Sequence, residues 1–292
     1  MFSFPIPPGF SEQPVYDGQG FVVGGERVPL LVYEPGVSGW TDDLTSFHED
    51  TAGENHPIDV ASRTRAIEEV RRCLREEKPV IIDIGCSSGF FLRDAKKAMP
   101  QAELIGADYV QGPLLKLATK LPGVPLVQLN LVKCPLPERS VDAAVLLNVL
   151  EHIEEDTEAM RQVFRILKPG GVAVIELPAG PHLYDVYDKH LMHFRRYELG
   201  ALRKQLESVG FRVERASHLG ALVYPMFRRV KKKNRRYLHA PAAEQKRVVA
   251  ASISQSGASP LMHAAMRVEM ALGRVVRYPA GIRCVVTCRK PE

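Results

Sequence analysis

Between Tyr184 and Tyr197 the chain reads Tyr-Asp-Val-Tyr-Asp-Lys-His-Leu-Met-His-Phe-Arg-Arg-Tyr, a density of titratable groups unusual for a loop. Carboxylates, imidazoles and phenols at such spacing can take a proton from a bound hydroxyl or amine, and imidazole does so near neutral pH. His193 is the first candidate for a base or an acceptor-orienting group, with His190 second; Glu151, His152, Asp185 and Asp188 are further acids and bases near strand ends. The competing structural reading has His193 holding the loop by hydrogen bonds while Arg195 and Arg196 pair with carboxylates. For His152, at the start of a short helix, the structural reading is preferred. Asp185, Asp188, His190 and His193 could also converge on a metal, but their spacing matches no recognised zinc or magnesium pattern, so no metal is expected.

A second stretch organises the chain: Val80–Leu92, VIIDIGCSSGFFL. An apolar β-branched run ends in Asp83, turns through Gly85 and Gly89, and re-enters apolar sequence, as a buried parallel strand delivering a loop to a helix N-terminus does. Small residues let that backbone approach a ligand, and the helix dipole favours an anionic one. Asp108 closes the next strand about two dozen residues on, where an acid can accept both hydroxyls of a ribose. Either a dinucleotide or another adenosine ligand fits to this point. The loop reads G-C-S-S-G and not G-x-G-x-x-G, which argues against the dinucleotide.

The elements that must position these residues alternate regularly. A helix over 58–77, with Ile67, Val70 and Leu74 on one stripe, stops at Pro79. Strands at 80–84, 103–107, 124–129, 141–147 and 172–177 are separated by helices at 89–98, 112–121 and 157–167, the last stopping at Lys-Pro-Gly-Gly. A helix at 198–209 with Gly210 as its C-cap leads to a strand at 211–218. The final strand is 282–289. This is a doubly wound, Rossmann-like α/β sheet with helices on both faces. The chain divides into an N-terminal arm or lid (1–57), a core (58–220), a mostly helical basic insertion (221–279), and a last core strand (280–292). In the arm, Phe21–Val23 and Leu30–Tyr33 read as short strands joined by a GGER turn, and Trp40 as either an anchor or a wall of the substrate pocket.

Composition excludes several classes. Net charge is +5 over 292 residues, too mild to argue for nucleic acid, and the N-terminus MFSFPIPPGF lacks the features of a signal peptide. No apolar run approaches a membrane span. Five cysteines without a C-x-x-C pair fit a reducing cytoplasm.

DIGCSSG, Asp108, LNLVKCPLPERSVDAAVLLNVLEHI and RILKPGGVAVIELP, in that order over about residues 78–215, resemble the class I S-adenosylmethionine-dependent methyltransferases, particularly the branch with a Leu-Glu-His segment after the fourth strand. The resemblance implies a seven-stranded sheet and a site for S-adenosylmethionine, leaving S-adenosylhomocysteine as product. It implies that Asp83, Gly85, Cys86, Ser87 and Gly89 shape the methionine end, that Asp108 takes the ribose hydroxyls, that Tyr109 and Leu131 border the adenine, and that Asn148 faces the amino-acid end. Asn130 stands where the family has an Asp toward the adenine amino group, and Ser87 replaces the middle glycine of its loop. A His-x-Arg-Arg-Tyr segment borders the acceptor pocket in that family; His193, Arg195, Arg196 and Tyr197 match it, and Tyr184, Arg196 and Tyr197 join Trp40 as candidate substrate-binding residues.

The expected reaction is methylation of a small molecule, at a hydroxyl oxygen or else an amine. The rivals are an RNA methyltransferase using the basic run and a non-catalytic cofactor-binding paralogue. That run, Arg228–Arg236, has seven cations in nine positions. It reads as a solvated face, or as a docking site for an acidic carrier protein, a phosphorylated substrate or an anionic lipid surface beside Leu219–Phe227; no aromatic platform accompanies it for nucleic acid.

Overall fold

The computed structural model describes residues 2–34, 43, 44, 47, 51 and 53–292. Strands β1 (Val15–Tyr16), β2 (Phe21–Val23) and β3 (Glu26–Val28) form a small antiparallel sheet, with Gly24 and Gly25 making the β2–β3 turn. The expected GGER turn is therefore shorter than foreseen, because Glu26 and Arg27 already pair with β2. β4 (Leu31–Val32) leaves that sheet for the edge of the main one.

After α1 (Pro57–Cys73) the alternation runs as its hydrophobic pattern dictates: β5 (Val80–Ile84), α2 (Phe90–Ala98), β6 (Glu103–Asp108), α3 (Gln111–Lys120), β7 (Leu126–Gln128), β8 (Val141–Leu147), α4 (Asp156–Ile166) and β9 (Leu167–Pro178). Then come the short α5 (Val186–His190), α6 (Leu199–Val209), β10 (Arg212–Leu219), the helices α7 (Tyr224–Asn234), α8 (Ala242–Gly257) and α9 (Pro260–Leu272), and β11 (Arg283–Arg289). β9 begins before Pro169, not after Gly171, because Leu167 already pairs with Val141.

The main sheet has eight strands in the order β10-β11-β9-β8-β5-β6-β7-β4. The strand foreseen at Leu30–Tyr33 is present as β4, but it joins the main sheet as an eighth strand, pairing in parallel with β7 through Leu31 and Val127. β11 is antiparallel to both β9 and β10; the pairs from β9 across to β4 are parallel. Side chains alternate across the sheet as a strand's two-residue period requires. Ile81, Ala143, Val145, Val172 and Val174 meet α1, α2 and α3 through Val70, Leu92 and Leu117. Ile82, Ile84, Ala144, Leu146, Ala173 and Ile175 meet α4 and α6 through Met160, Val163 and Leu206. Phe2, Phe4 and Phe21 of the arm bury into the second of these layers, so the described part of the arm packs as core.

The insertion has a smaller core of its own. Met262 and Met266 of α9 pack with Ile58 and Ala61 of α1, Leu219, Val223 and Ile282, while Val249 and Ile253 of α8 cover Val186 of α5. The buried Glu269 carboxylate accepts the Gly220 and Leu222 N–H groups at 2.6 and 3.0 Å, fixing where the chain leaves β10.

β5 lies between β6 and β8, the point where successive crossovers turn in opposite directions. Sheets of this kind bind ligands at such a point, beyond the carboxyl ends of the strands.

Candidate active site

The loop after β5 is shaped by tight backbone contacts. The N–H groups of Gly85 and Cys86 both reach the Ala107 carbonyl, at 2.8 and 3.0 Å, tying the loop to the end of β6. Gly85 has φ +76°, and a Cβ there would lie 2.5 Å from Val149 Cγ2, so only glycine allows the loop to touch the turn after β8. Gly89, also left-handed, starts α2, whose N-terminus has no side-chain cap and no acid in its first turn. Its dipole therefore favours an anion from outside the protein, as the carboxylate of an amino-acid ligand would be.

Ser87 also sits at positive φ, +47°. A side chain costs about 1–2 kcal/mol in that region, partly offset by glycine's greater freedom when unfolded. Ser87→Gly is therefore expected to raise stability by about 0.5–1 kcal/mol, read from urea unfolding. Cys86 is buried, and burial raises its thiol well above the usual value, consistent with a backbone role and not a nucleophile's.

Asp108 closes the cradle. Its Oδ2 accepts the Ser87 N–H at 2.8 Å and its Oδ1 accepts the Val110 N–H at 2.9 Å. A carboxylate at the end of a strand such as β6 is the type of group that accepts a ligand's hydroxyls. Asp83, buried beneath the loop, is pushed well above the carboxylate range by burial and by the neighbouring Asp108. Tyr109 follows Asp108 half-buried, with its carbonyl accepting from Gln128. Leu131 is buried in the core and Asn130 caps the short 3₁₀ turn Leu131–Lys133, its Oδ1 accepting the Val132 N–H at 3.0 Å. The Asn130 oxygen foreseen for adenine thus already holds one local bond. Asn148, at the end of β8, is half-buried in a left-handed conformation, with no side-chain hydrogen bond among the described residues.

Beyond Asn148 the 3₁₀ turn Leu150–His152 meets the segment after β9. The Phe194 N–H donates to the Glu151 carbonyl at 2.8 Å, which sets His193 against this turn. The His193 and His152 rings lie 4.7 Å apart, edge to face. Glu151 is fully buried, neither of its carboxylate oxygens has a hydrogen-bond partner among the described residues, and burial pushes its pKa up to about 8.

His193 is held from behind. Its Nδ1 is 2.9 Å from Asp188 Oδ1. Asp188 also takes Arg196 Nη1 at 2.8 Å, Lys231 Nζ at 3.0 Å and the Asp185 N–H at 3.0 Å. Burial alone would raise Asp188; Lys231, His193 and Arg196 outweigh it and hold the carboxyl well below the usual range. An ionised carboxylate only accepts, so Nδ1 carries the proton and Nε2 offers a lone pair. Burial lowers the His193 pKa despite Asp188, keeping the ring neutral at pH 7.

Several expected residues have other work. All of the Arg196 guanidinium's contacts are structural: Ala179 O at 2.8 Å, Asp188, and Ile282 O at 3.3 Å. The buried Tyr197 hydroxyl donates to Asp156 at 2.8 Å. Tyr184 donates to the His193 carbonyl at 3.0 Å. These three frame the site, and the hydrogen bonds that Arg196 and Tyr197 make among the described residues go to protein groups. His190 packs on Phe47 at 5.1 Å, and burial and Lys246 lower its pKa, so it is not brought to the His193 side. Trp40 lies outside the described residues. The basic run is not wholly a solvated face: Lys231 is buried between Asp185, Asp188 and the Tyr187 and Phe227 rings, and Arg235 bonds the Tyr184 and His182 carbonyls. Asp185 and Asp188 are thereby engaged with Lys231, and the four side chains weighed as metal ligands do not form a cluster. The group whose ligand atoms do converge is Glu151, His152 and His193, all within 4.8 Å of one another.

Comparison with known proteins finds similarity to methyltransferases. The methyltransferase domain family matches residues 82–175, which run from β5 into β9. A protein of Mycolicibacterium smegmatis named as an S-adenosylmethionine-dependent methyltransferase is 31% identical over 139 residues, 46% of this chain and 52% of the relative. The malonyl-[acyl-carrier protein] O-methyltransferase of Halalkalibacterium halodurans is 28% identical over 129 residues, 42% of this chain and 47% of that protein. The chain thus spans about half the length of the curated relatives it matches. Among solved structures, a Haemonchus contortus phosphoethanolamine N-methyltransferase in complex with S-adenosyl-L-methionine superimposes with TM-score 0.54 at 15% identity, covering 85% of this chain and 57% of that one, a likeness of fold.

Proposed function

We propose, from the premise that this chain carries a class I S-adenosylmethionine-dependent methyltransferase domain, that it moves the cofactor's methyl group onto an oxygen of a small-molecule acceptor. The observation supporting this is the contact between Gly85 and Val149. It sets the cofactor loop directly against the turn that bears Glu151 and His152, which supports a reading in which cofactor and acceptor groups lie side by side.

The residues present fit the cofactor. Asp108 offers a carboxylate for the ribose, the start of α2 offers a dipole for the ligand's own carboxylate, and Asn148 offers an amide at the amino-acid end. When bound, the cofactor supplies an electrophilic methyl on a sulfonium. The chain's own part is to hold the acceptor oxygen in line behind that methyl and to take its proton. His193 suits the second of these roles, because it is neutral at pH 7, Asp188 fixes its tautomer, and Nε2 is the nitrogen left to receive a proton. His193→Ala is expected to lower turnover roughly 100-fold or more while cofactor affinity, measured calorimetrically, stays at the wild-type value. Unchanged turnover would remove His193 from this role.

An acceptor carried on an acidic protein is a second reading. It is supported by the activity for which the Halalkalibacterium relative is named and by the exposed Arg228, Arg229, Lys232, Lys233 and Arg236 of the insertion. Comparing methyl transfer to a free acid and to its carrier-bound form separates the two. All five cysteines are free thiols, which supports action in a reducing compartment such as the cytoplasm. No helix among the described residues is long and apolar enough to cross a membrane.

A further inference from the structure

We propose that Glu151, His152 and His193 bind one first-row divalent cation, of the class of Zn²⁺ or Mn²⁺, at the acceptor side of the crevice. The convergence is geometric. One ligand atom from each residue lies within 4.8 Å of the other two, while tetrahedral ligands around zinc sit about 3.3 Å apart. Side-chain adjustments of about 1 Å close the difference without moving the backbone.

An independent observation concerns Glu151. The carboxyl is fully buried and aimed into this cluster, yet both of its oxygens lack a hydrogen-bond partner among the described residues. A buried carboxyl left this way is disfavoured unless something supplies the missing contact. Arg196 and Arg283, whose charges act on Glu151, bond elsewhere: to Asp188 and the Ala179 and Ile282 carbonyls, and to Asp59, Glu176 and Ser62. A metal ion supplies what Glu151 lacks.

The surroundings of His193 have the form that metal ligands take. A histidine that binds metal through one nitrogen donates its other N–H to a carboxylate, and His193 Nδ1 does so to Asp188 at 2.9 Å. Asp188 is itself fixed by Arg196 and Lys231, so the imidazole is oriented before any ligand arrives.

Charge permits the ion: Asp185 and Asp188 balance Lys231 and Arg196, Arg283 is outnumbered by Asp59 and Glu176, and the Glu151 carboxyl gives up its proton on binding the ion. Two imidazole nitrogens and one carboxylate favour Zn²⁺, Mn²⁺, Fe²⁺ or Co²⁺ over Mg²⁺ or Ca²⁺, which take oxygen ligands. Three protein ligands leave a position open for an acceptor hydroxyl, on the turn that Val149 sets against the cofactor loop. An acceptor hydroxyl bound there loses its proton more readily. The proton-accepting role of His193 belongs to the metal-free protein; in the metal-loaded protein His193 holds the ion and is not the base, and the acceptor's proton goes to solvent. The ion's role in the reaction rests on the methyl-transfer reading above; the binding of the ion does not.

The test uses the full chain stripped with a chelator and titrated with Zn²⁺, and separately with Co²⁺, by calorimetry and visible absorption. One equivalent of each ion is expected to bind, with Co²⁺ giving the intense bands of a low-coordinate nitrogen–oxygen site and Mg²⁺ failing to compete. Glu151→Gln keeps the side chain's shape and removes no protein hydrogen bond. It is expected to weaken Zn²⁺ binding roughly tenfold or more, and His152→Ala likewise, while S-adenosylmethionine affinity stays at the wild-type value and certifies the fold. Absence of stoichiometric uptake by the wild type, or wild-type affinity in both variants, overturns the proposal. Because cofactor affinity is read separately, loss of the metal site and failure of the cofactor reading give different results.

Discussion

Asp108→Ala is expected to abolish measurable binding of S-adenosylmethionine. The Asp108 carboxylate does two things at once. It accepts the Ser87 and Val110 N–H groups, which holds the loop after β5 in its left-handed turn, and it stands at the strand end where the ribose hydroxyls need an acceptor. Hydrogen bonds to a charged group contribute about 1.5–3 kcal/mol each. Losing a pair of them to the ligand weakens binding by about 3–6 kcal/mol, or roughly 100-fold to 10,000-fold, before any disorder of the loop is counted. Alanine also relieves the like charge that raises Asp83, so the buried carboxyl beneath the loop ionises more easily in the variant. Asp108→Asn separates the two roles, since it keeps one acceptor oxygen and the side-chain volume. Calorimetric titration of the three proteins decides the matter, and cofactor binding by the alanine variant within threefold of wild type would sink the assignment.

The cradle is legible in the sequence because its parts are local and their types are dictated by the backbone. Gly85 and Gly89 stand at positive φ, Asp108 follows directly on a buried strand, and the alternation of Ile81 with Ile82 tells which face of β5 meets which helices. Gly210 can be read as a C-cap for the same reason, and it does adopt the left-handed conformation. That Leu31–Val32 is a strand can be read, but which sheet it joins cannot: two residues paired only at the sheet's edge leave no signal of their partner.

The acceptor side is less legible because its geometry is made through space. Arg196 and Tyr197 have residue types that suit ligand contact, and only the positions of the Ala179 carbonyl, Asp188 and Asp156 show that both are spent on the frame. Glu151 and His152 lie some forty residues from His193, and the bond from the Phe194 N–H to the Glu151 carbonyl joins them. A signal is nonetheless present. A Glu-His pair just beyond the end of an apolar strand sits where a parallel sheet opens its crevice, and that position gives His152 a claim to more than a helix residue's part.

Lys231→Met is expected to destabilise the fold by about 3–5 kcal/mol, although the residue lies within a run of exposed cations. Its neighbours Lys232 and Lys233 are exposed, and replacing either is expected to change stability by less than about 0.5 kcal/mol. Lys231 instead reaches from α7 into the interior, where its ammonium bonds Asp185 at 2.7 Å and Asp188 at 3.0 Å. Removing it leaves two buried carboxylates facing each other with Arg196 as the remaining cation on Asp188 and none on Asp185, one of whose oxygens already lacks a partner. The pH dependence follows from the depressed Asp188 pKa. Its contribution is fully present above the ordinary carboxylate value of 3.8 and is lost as pH falls through the lower folded value. Without Lys231 that folded value rises toward the ordinary one, so acid unfolding should begin at a higher pH than in the wild type. Adding Asp185→Asn to Lys231→Met removes one uncompensated charge and is expected to recover part of the loss, a coupling that a double-mutant cycle in urea measures directly. Lys231→Met with wild-type stability would show that the insertion is not locked to the site through this residue. A destabilised variant that regains stability but not turnover with Asp185→Asn would show that the lock also holds Asp188, and through it His193, in place.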